Sequence, residues 1–215
     1  MTGAALITEG QWLARPCVHL RPDGEQTALA AIWRGPGQVP VPAADFEHWL
    51  TIDCRFLPTG VGPTTGVASV YTEFGDRYGV MAHDPATSLT LMPGGRPLYA
   101  HPTTSLPPLE AVFRYGSAAV AEWLTRIGWD PDWGYDGNFP DAEAADVYTE
   151  AQRVNLPIDG ETVFAVLGGW HVPWPDGDWL ELVEHPLVVL TLAESEPWVE
   201  AFNMGQGFRV IQRIS

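Results

Sequence analysis

The chain has no lysine: all eleven of its basic residues are arginine. That absence removes whole classes of chemistry. Schiff-base catalysis, lysine-bound pyridoxal phosphate, the phosphate-binding P-loop and the protein-kinase arrangement each need a lysine amine. Cysteine is also scarce, with only Cys17 and Cys54. Two thiols make neither a disulfide framework nor a four-cysteine zinc site, and the plainer expectation is two buried small hydrophobes on strands. No apolar run approaches the ~20 residues of a membrane-crossing helix. The first residues carry no basic stretch and too short an apolar run for a secretory leader, so a cytoplasmic location is expected.

What the sequence has in excess is acid. Its 27 Asp and Glu against 11 Arg give a net charge of −16 over 215 residues. Residues 130–200 contain sixteen acids and one base, Arg153, for a net −15, and the remaining eleven acids and ten Arg leave −1. Such a charge repels phosphate backbones, which argues against nucleic-acid binding. Tryptophan is abundant too, and six of the ten, counting Trp129, fall within 129–200.

The hydrophobic share of 46% suits a globular protein with a substantial core. The period of the apolar residues changes twice along the chain. Residues 11–21, 27–34, 48–57, 67–74 and 78–83 read as strands, with Gly75, Asp76 and Arg77 in a short hairpin loop. Val120, Trp123, Leu124 and Ile127 fall at i, i+3, i+4, i+7 and define a helix that Gly128 ends. This helical face is expected to pack on the sheet. A shorter helix from Pro107 to Gly116 precedes it, and a third after Asp141 carries Ala144, Val147, Tyr148 and Ala151 on one face. Residues 162–167, 187–192, 198–202 and 208–214 return to strand. No internal repeat is visible. The expected fold is a single α+β domain over 1–215: a mainly antiparallel sheet, with two to three helices inserted between the N-terminal and C-terminal strands.

Three segments could carry chemistry. Gly60, Gly62 and Gly66 resemble a phosphate loop in spacing, but a strand follows where a helix N-terminus is needed. Asp130, Asp132, Asp136, Asn138 and Asp141 stand at positions 1, 3, 7, 9 and 12 of a loop, a spacing of hard oxygen ligands like that of a calcium-binding loop. Gly134 and Tyr135 depart from that pattern, so a divalent cation competes here with a plain capping-and-turn role. The segment 168–179 gathers Trp170, His171, Trp174, Asp176, Asp178 and Trp179 around two prolines. His171 with Asp176 or Asp178 could act as a general base or hold a metal. Trp170, Trp174 and Trp179 could wall a ligand site, or anchor the loop to the core.

Taken together, charge and tryptophan favour a non-catalytic binding protein for a cationic ligand or basic protein partner. Small acidic inhibitors and immunity proteins that neutralise basic toxins show the same physics by analogy. The alternatives are a small hydrolase using His171, Asp176 and Asp178, metal-dependent or not, and a carbohydrate-binding module stacking sugars on Trp.

Overall fold

The structure is a computed structural model that describes residues 2–23, 27–41, 45–73, 78–107, 118–128, 142–155, 163–170, 185–191 and 198–213. The chain divides into two compact units. The larger comprises Cys17–Thr103, Ile158–Gly168 and His185–Ser215, and the smaller Met1–Pro16, Thr104–Pro157 and Gly169–Glu184.

The sheet corrects the expected fold. It is a closed barrel of ten strands and not an α+β sheet interrupted by helices. The strands are β1 (Arg15–Arg21), β2 (Leu29–Trp33), β3 (Phe46–Asp53), β4 (Val67–Glu73), β5 (Tyr78–Asp84), β6 (Arg96–Ser105), β7 (Ala165–Gly168), β8 (Leu187–Thr191), β9 (Trp198–Asn203) and β10 (Phe208–Arg213). Around the ring they run β1-β6-β2-β3-β4-β5-β10-β9-β8-β7, and antiparallel pairing of β7 with β1, Cys17 opposite Gly168 and Leu20 opposite Ala165, completes the circuit. Closure leaves no edge strand with unpaired backbone groups.

The ring has a hidden regularity. Exchanging β1–β5 with β6–β10 leaves the order unchanged. Each half supplies a four-stranded meander, β2–β5 or β7–β10, and lends its first strand to the other's meander, β1 beside β7 and β6 beside β2. The corresponding ladders β3/β4 and β8/β9 both carry a bulge, between His48 and Leu50 and between Leu187 and Val189.

Inside the barrel, alternate residues fill the core. Leu20, Ala31, Leu50, Ile52, Ala68, Val70, Leu98, Leu167, Val189, Ala201 and Val210 form one apolar cluster. After β3, Asp53 caps a 3₁₀ turn, Cys54–Phe56, by accepting from the Arg55 N–H at 3.0 Å. Leu57 and Val61 then fold back onto the barrel core, and Asn203 Nδ2 donates to the Val61 carbonyl at 3.0 Å. Gly66 is in the left-handed region, φ 76°, and a Cβ there would lie 2.0 Å from the Asp84 carbonyl oxygen. Gly66 therefore serves close packing, whereas Gly60 lies in open space at φ 83°.

The smaller unit holds the described helices. α1 (Gly3–Gln11) is capped by Thr2, whose hydroxyl accepts from the Ala5 N–H at 3.3 Å. The expected strand at 11–21 begins only at Arg15, because the chain first completes this helix and seats Leu6 in a core. α2 (Ala118–Arg126) and α3 (Ala142–Asn155) match the helical periodicity read from the sequence, and Gly128 follows α2 at φ 73°. Residues 108–117, which include most of the expected helix from Pro107 to Gly116, lie outside the described residues. Trp123 and Ile127 pack with Leu6, Leu106, Ala144, Tyr148 and Trp170 in a second cluster. Tyr148 is fully buried and donates to the Pro107 carbonyl at 2.7 Å, and burial raises its pKa. Val147, expected to face inward, is 46% exposed, since Ala144 and Tyr148 already complete the buried stripe.

Among the described residues, no helix is long and apolar enough to cross a membrane.

Candidate functional site

One end of the barrel gathers aromatic and cationic side chains. On β2, Ala31 is opposite Ile52 and Trp33 opposite Leu50, so Trp33 shares the inward face of its core neighbours. The bulge in β3 adds Trp49 to the core cluster, and Trp33 packs against it. The two indoles meet edge to face at 6.4 Å, and Phe164 lies 4.4 Å from Trp33.

Two arginines cover these rings. Arg96, the first residue of β6 and the partner of Trp33 in the ladder, places its guanidinium 5.1 Å from the Trp33 ring. Arg34 follows Trp33 directly and lies 5.1 Å from Trp33 and 5.8 Å from Trp49. Among the described non-glycine residues it alone has positive φ, at 58°, followed by Gly35 at 75°. A left-handed arginine costs roughly 1–2 kcal/mol. That tight turn reverses the chain and brings the guanidinium back over both indoles.

Two polar atoms in this cluster are unsatisfied. The Nε1 atoms of Trp33 and Trp49 are buried with no hydrogen-bond partner among the described residues. Trp49 as a whole is only 6% exposed. A buried donor without an acceptor costs about 1–3 kcal/mol, so two adjacent ones are notable in a native interior.

Behind this rim, on the outward face of β3 and β4, runs a chain of hydrogen bonds. His48 Nδ1 lies 2.9 Å from the Gly35 carbonyl and Nε2 2.8 Å from Thr51 Oγ1. Thr51 Oγ1 lies 2.8 Å from Ser69 Oγ, which accepts the Gln38 and Val39 backbone N–H groups at 3.2 Å each. Tyr71 closes the group by donating to the Val39 carbonyl at 2.6 Å and meeting the His48 ring edge to face. The proton order follows from the ends. The Gly35 carbonyl can only accept, so Nδ1 carries the proton. Nε2 then accepts from Thr51, and Thr51 accepts from Ser69. Burial lowers the His48 pKa, and backbone hydrogen bonding to Gly35 only partly opposes this.

The series His–Thr–Ser has the donor order of a nucleophile relay, but Ser69 is fully buried and Thr51 1% exposed. Its lone pairs already hold two backbone donors. The chain works as a tether that fixes residues 35–39 and, with them, the turn that carries Arg34. The thiols are equally closed to chemistry: Cys17 and Cys54 form no disulfide and are buried, and burial, with Asp53 alongside, pushes Cys54 up to about 12.

Asp130, Asp132, Asp136, Asn138, Asp141, His171, Trp174, Asp176, Asp178 and Trp179 lie outside the described residues. Trp170 is described and 2% exposed. Its Nε1 donates to the Leu13 carbonyl at 2.8 Å, its backbone N–H donates to Ser105 Oγ at 2.8 Å, and the Arg15 guanidinium sits 3.5 Å above its ring. Among the described residues, no group of three or more His, Cys, Asp or Glu is placed to hold a metal ion.

Sequence reasoning missed Trp33, Arg34, Trp49 and Arg96. The available signal was local: a Trp-Arg-Gly sequence ending a strand, where glycine marks a left-handed turn. Comparison with known protein families, curated proteins and solved structures finds no match to this chain.

Proposed function

We propose that this protein is a non-catalytic binding protein whose acidic half meets a basic protein partner or cationic ligand. The observation that carries the reading is the charge asymmetry, −15 of the net −16 within residues 130–200. Like charges held this close oppose folding unless they are dispersed or met by a partner. Within the described part of that segment, α3 exposes Glu143, Asp146, Val147 and Glu150. Their spacing of i, i+3, i+4, i+7 puts them on one face, three carboxylates around a half-exposed apolar residue. Such a face suits an Arg- or Lys-bearing surface, where charge governs encounter rate and the apolar residue adds contact. Two buried cysteines outside any disulfide fit a reducing compartment, which supports a cytoplasmic location as part of this proposal.

The test is affinity capture from native cell extract with the wild type and with a Glu143→Arg, Asp146→Arg, Glu150→Arg variant, at 50 and 500 mM salt. The expected result is one basic protein retained by the wild type at low salt, released at high salt and not retained by the variant. A partner that binds the variant equally well, or one that is itself acidic, would refute the reading.

A further inference from the structure

We propose that residues 35–41 form an acid-released strap: protonation of His48 unlatches the Gln38 and Val39 backbone from the outward face of β3 and β4 while the barrel stays closed. The release is local, and Gln38 passes it on to a second surface segment.

The strap crosses this face without forming a helix or strand of its own. Glycine lets it lie close: a Cβ on Gly37 would collide with the Tyr71 hydroxyl and fall 2.9 Å from His48 Cδ2. Its latch is Ser69, whose Oγ accepts the Gln38 and Val39 N–H groups at 3.2 Å each. Both lone pairs of that oxygen are then in use, and its own proton goes to Thr51. Thr51 donates to His48 Nε2, because the Gly35 carbonyl holds the ring proton on Nδ1. A second proton, on Nε2, reverses this order. Nε2 then donates to Thr51, and Thr51 to Ser69. The Ser69 proton can turn to the Tyr71 hydroxyl, which lies within hydrogen-bonding reach. Three donors now compete for two lone pairs, and one must let go. The 3.2 Å bonds to the strap are the longest of the series, so the strap is what gives way.

The surroundings leave His48 as the trigger. The strap itself carries no titratable side chain. On the same face β3 presents Thr51, and β4 presents Ser69, Tyr71 and Glu73; Glu47 belongs to the opposite face. Arg34 meets the ring through its backbone, and its guanidinium, like that of Arg96, lies over Trp33. Burial is the largest influence on His48 and lowers its pKa, opposed only by backbone hydrogen bonds from Gly35, Leu50 and Arg34. The latch is therefore complete above the ordinary value of 6.5 and is lost as pH falls toward the lower, latched value. Each unit of depression multiplies strap opening about tenfold once the pH is below both. Gln38 carries the release further. Its side chain donates to the Thr90 carbonyl and accepts the Thr90 N–H at 3.0 Å. The segment around Thr90, with Leu91 52% exposed, loosens with the strap.

Amide hydrogen exchange followed by NMR, normalised to the intrinsic rate at each pH, reads the strap directly. Between pH 7.5 and pH 5.0 the protection of the Gln38, Val39 and Thr90 amides should fall about tenfold or more, with the midpoint of the His48 ring titration. Amides of the β3/β4 ladder should keep their protection. His48→Gln, which cannot take up the proton, should show no such fall. Ser69→Ala, which removes the latch, should expose the Gln38 and Val39 amides already at pH 7.5. The proposal is overturned if His48 takes up its proton while the three amides stay protected, or if the β3/β4 ladder loses protection together with them. It is also overturned if His48→Gln shows the same fall, if a folded Ser69→Ala protein keeps Gln38 and Val39 protected, or if His48 stays neutral down to the pH at which the protein unfolds.

Discussion

Acidification should loosen the protein through His48, and the geometry gives the reason. In the neutral ring, Nε2 accepts from Thr51. A proton on Nε2 would turn it into a donor and force Thr51 to donate onward to Ser69. Ser69 Oγ already accepts from Gln38 and Val39 at 3.2 Å each, so the chain cannot reverse without leaving a buried group unpaired. Burial of the ring adds a desolvation penalty and is the largest cause of the lowered pKa. The sign follows from linkage. His48 is lowered from an ordinary 6.5, so its contribution is complete above that value. As pH falls below 6.5 the unfolded chain takes up the proton first, and stability is lost down to the folded-state pKa. Each unit of depression removes about 1.4 kcal/mol. Urea unfolding at pH 7.5 and pH 5.0 should therefore show the wild type losing more stability than His48→Gln. Subtracting the variant removes the general effect of discharging carboxylates. Equal pH dependence in the two proteins, or a His48 ring that titrates at or above 6.5 by NMR, would refute the relay.

Two further perturbations probe the cores. Trp123→Ala removes a fully buried side chain from the second cluster and should cost ~3–5 kcal/mol; an unchanged thermal midpoint would contradict its placement. Cys54 should resist iodoacetamide at pH 8 in the folded protein and react promptly in urea, because its thiol is fully buried and pushed up to about 12. Rapid native alkylation at Cys54, mapped by mass spectrometry, would show that the 3₁₀ turn opens.

The sequence made the local pieces legible and the closure illegible. β4, β5, β8, β9 and β10 fall within or close to the strand spans expected from the sequence, and α2 and α3 stand where the period changed. β6 was not expected because Pro97 and Pro102 disfavour a strand, although Pro97 sits opposite Ile32 in the β2/β6 ladder. α1 was missed because Gly3 and Gly10 weaken a helix by propensity. Both are there for contact: a Cβ on Gly10 would lie 2.7 Å from the Tyr148 ring. Strands buried on both faces, such as Val67–Glu73 with every residue but the last buried, lose the two-residue alternation that separates core from solvent. The rim was invisible for a different reason. Tryptophan density drew attention to 170–179, whereas Trp33 and Trp49 are brought together only by the β2/β3 register and a bulge.

The exchange of first strands explains why no repeat or domain break could be read, and it has a consequence for folding. The meander β2–β5 needs β6 on one side and β10 on the other, and both belong to the second half of the chain. The meander β7–β10 likewise needs β1 and β5. Neither half can bury its edges alone, and an open, twisted four-stranded sheet with two unpaired edges is prone to self-association. The halves should therefore fold only together. The connection between β5 and β6 gives a place to test this, because residues 86–89 are exposed or partly so and precede Thr90, which exchanges hydrogen bonds with Gln38. A chain split within 86–89 should yield two fragments that each lack cooperative unfolding. When mixed, they should recover a single thermal transition and the protected indole resonances of Trp33 and Trp49. If the N-terminal fragment alone unfolds cooperatively as a monomer, its edges must be satisfied internally, and the exchanged-strand topology would be wrong.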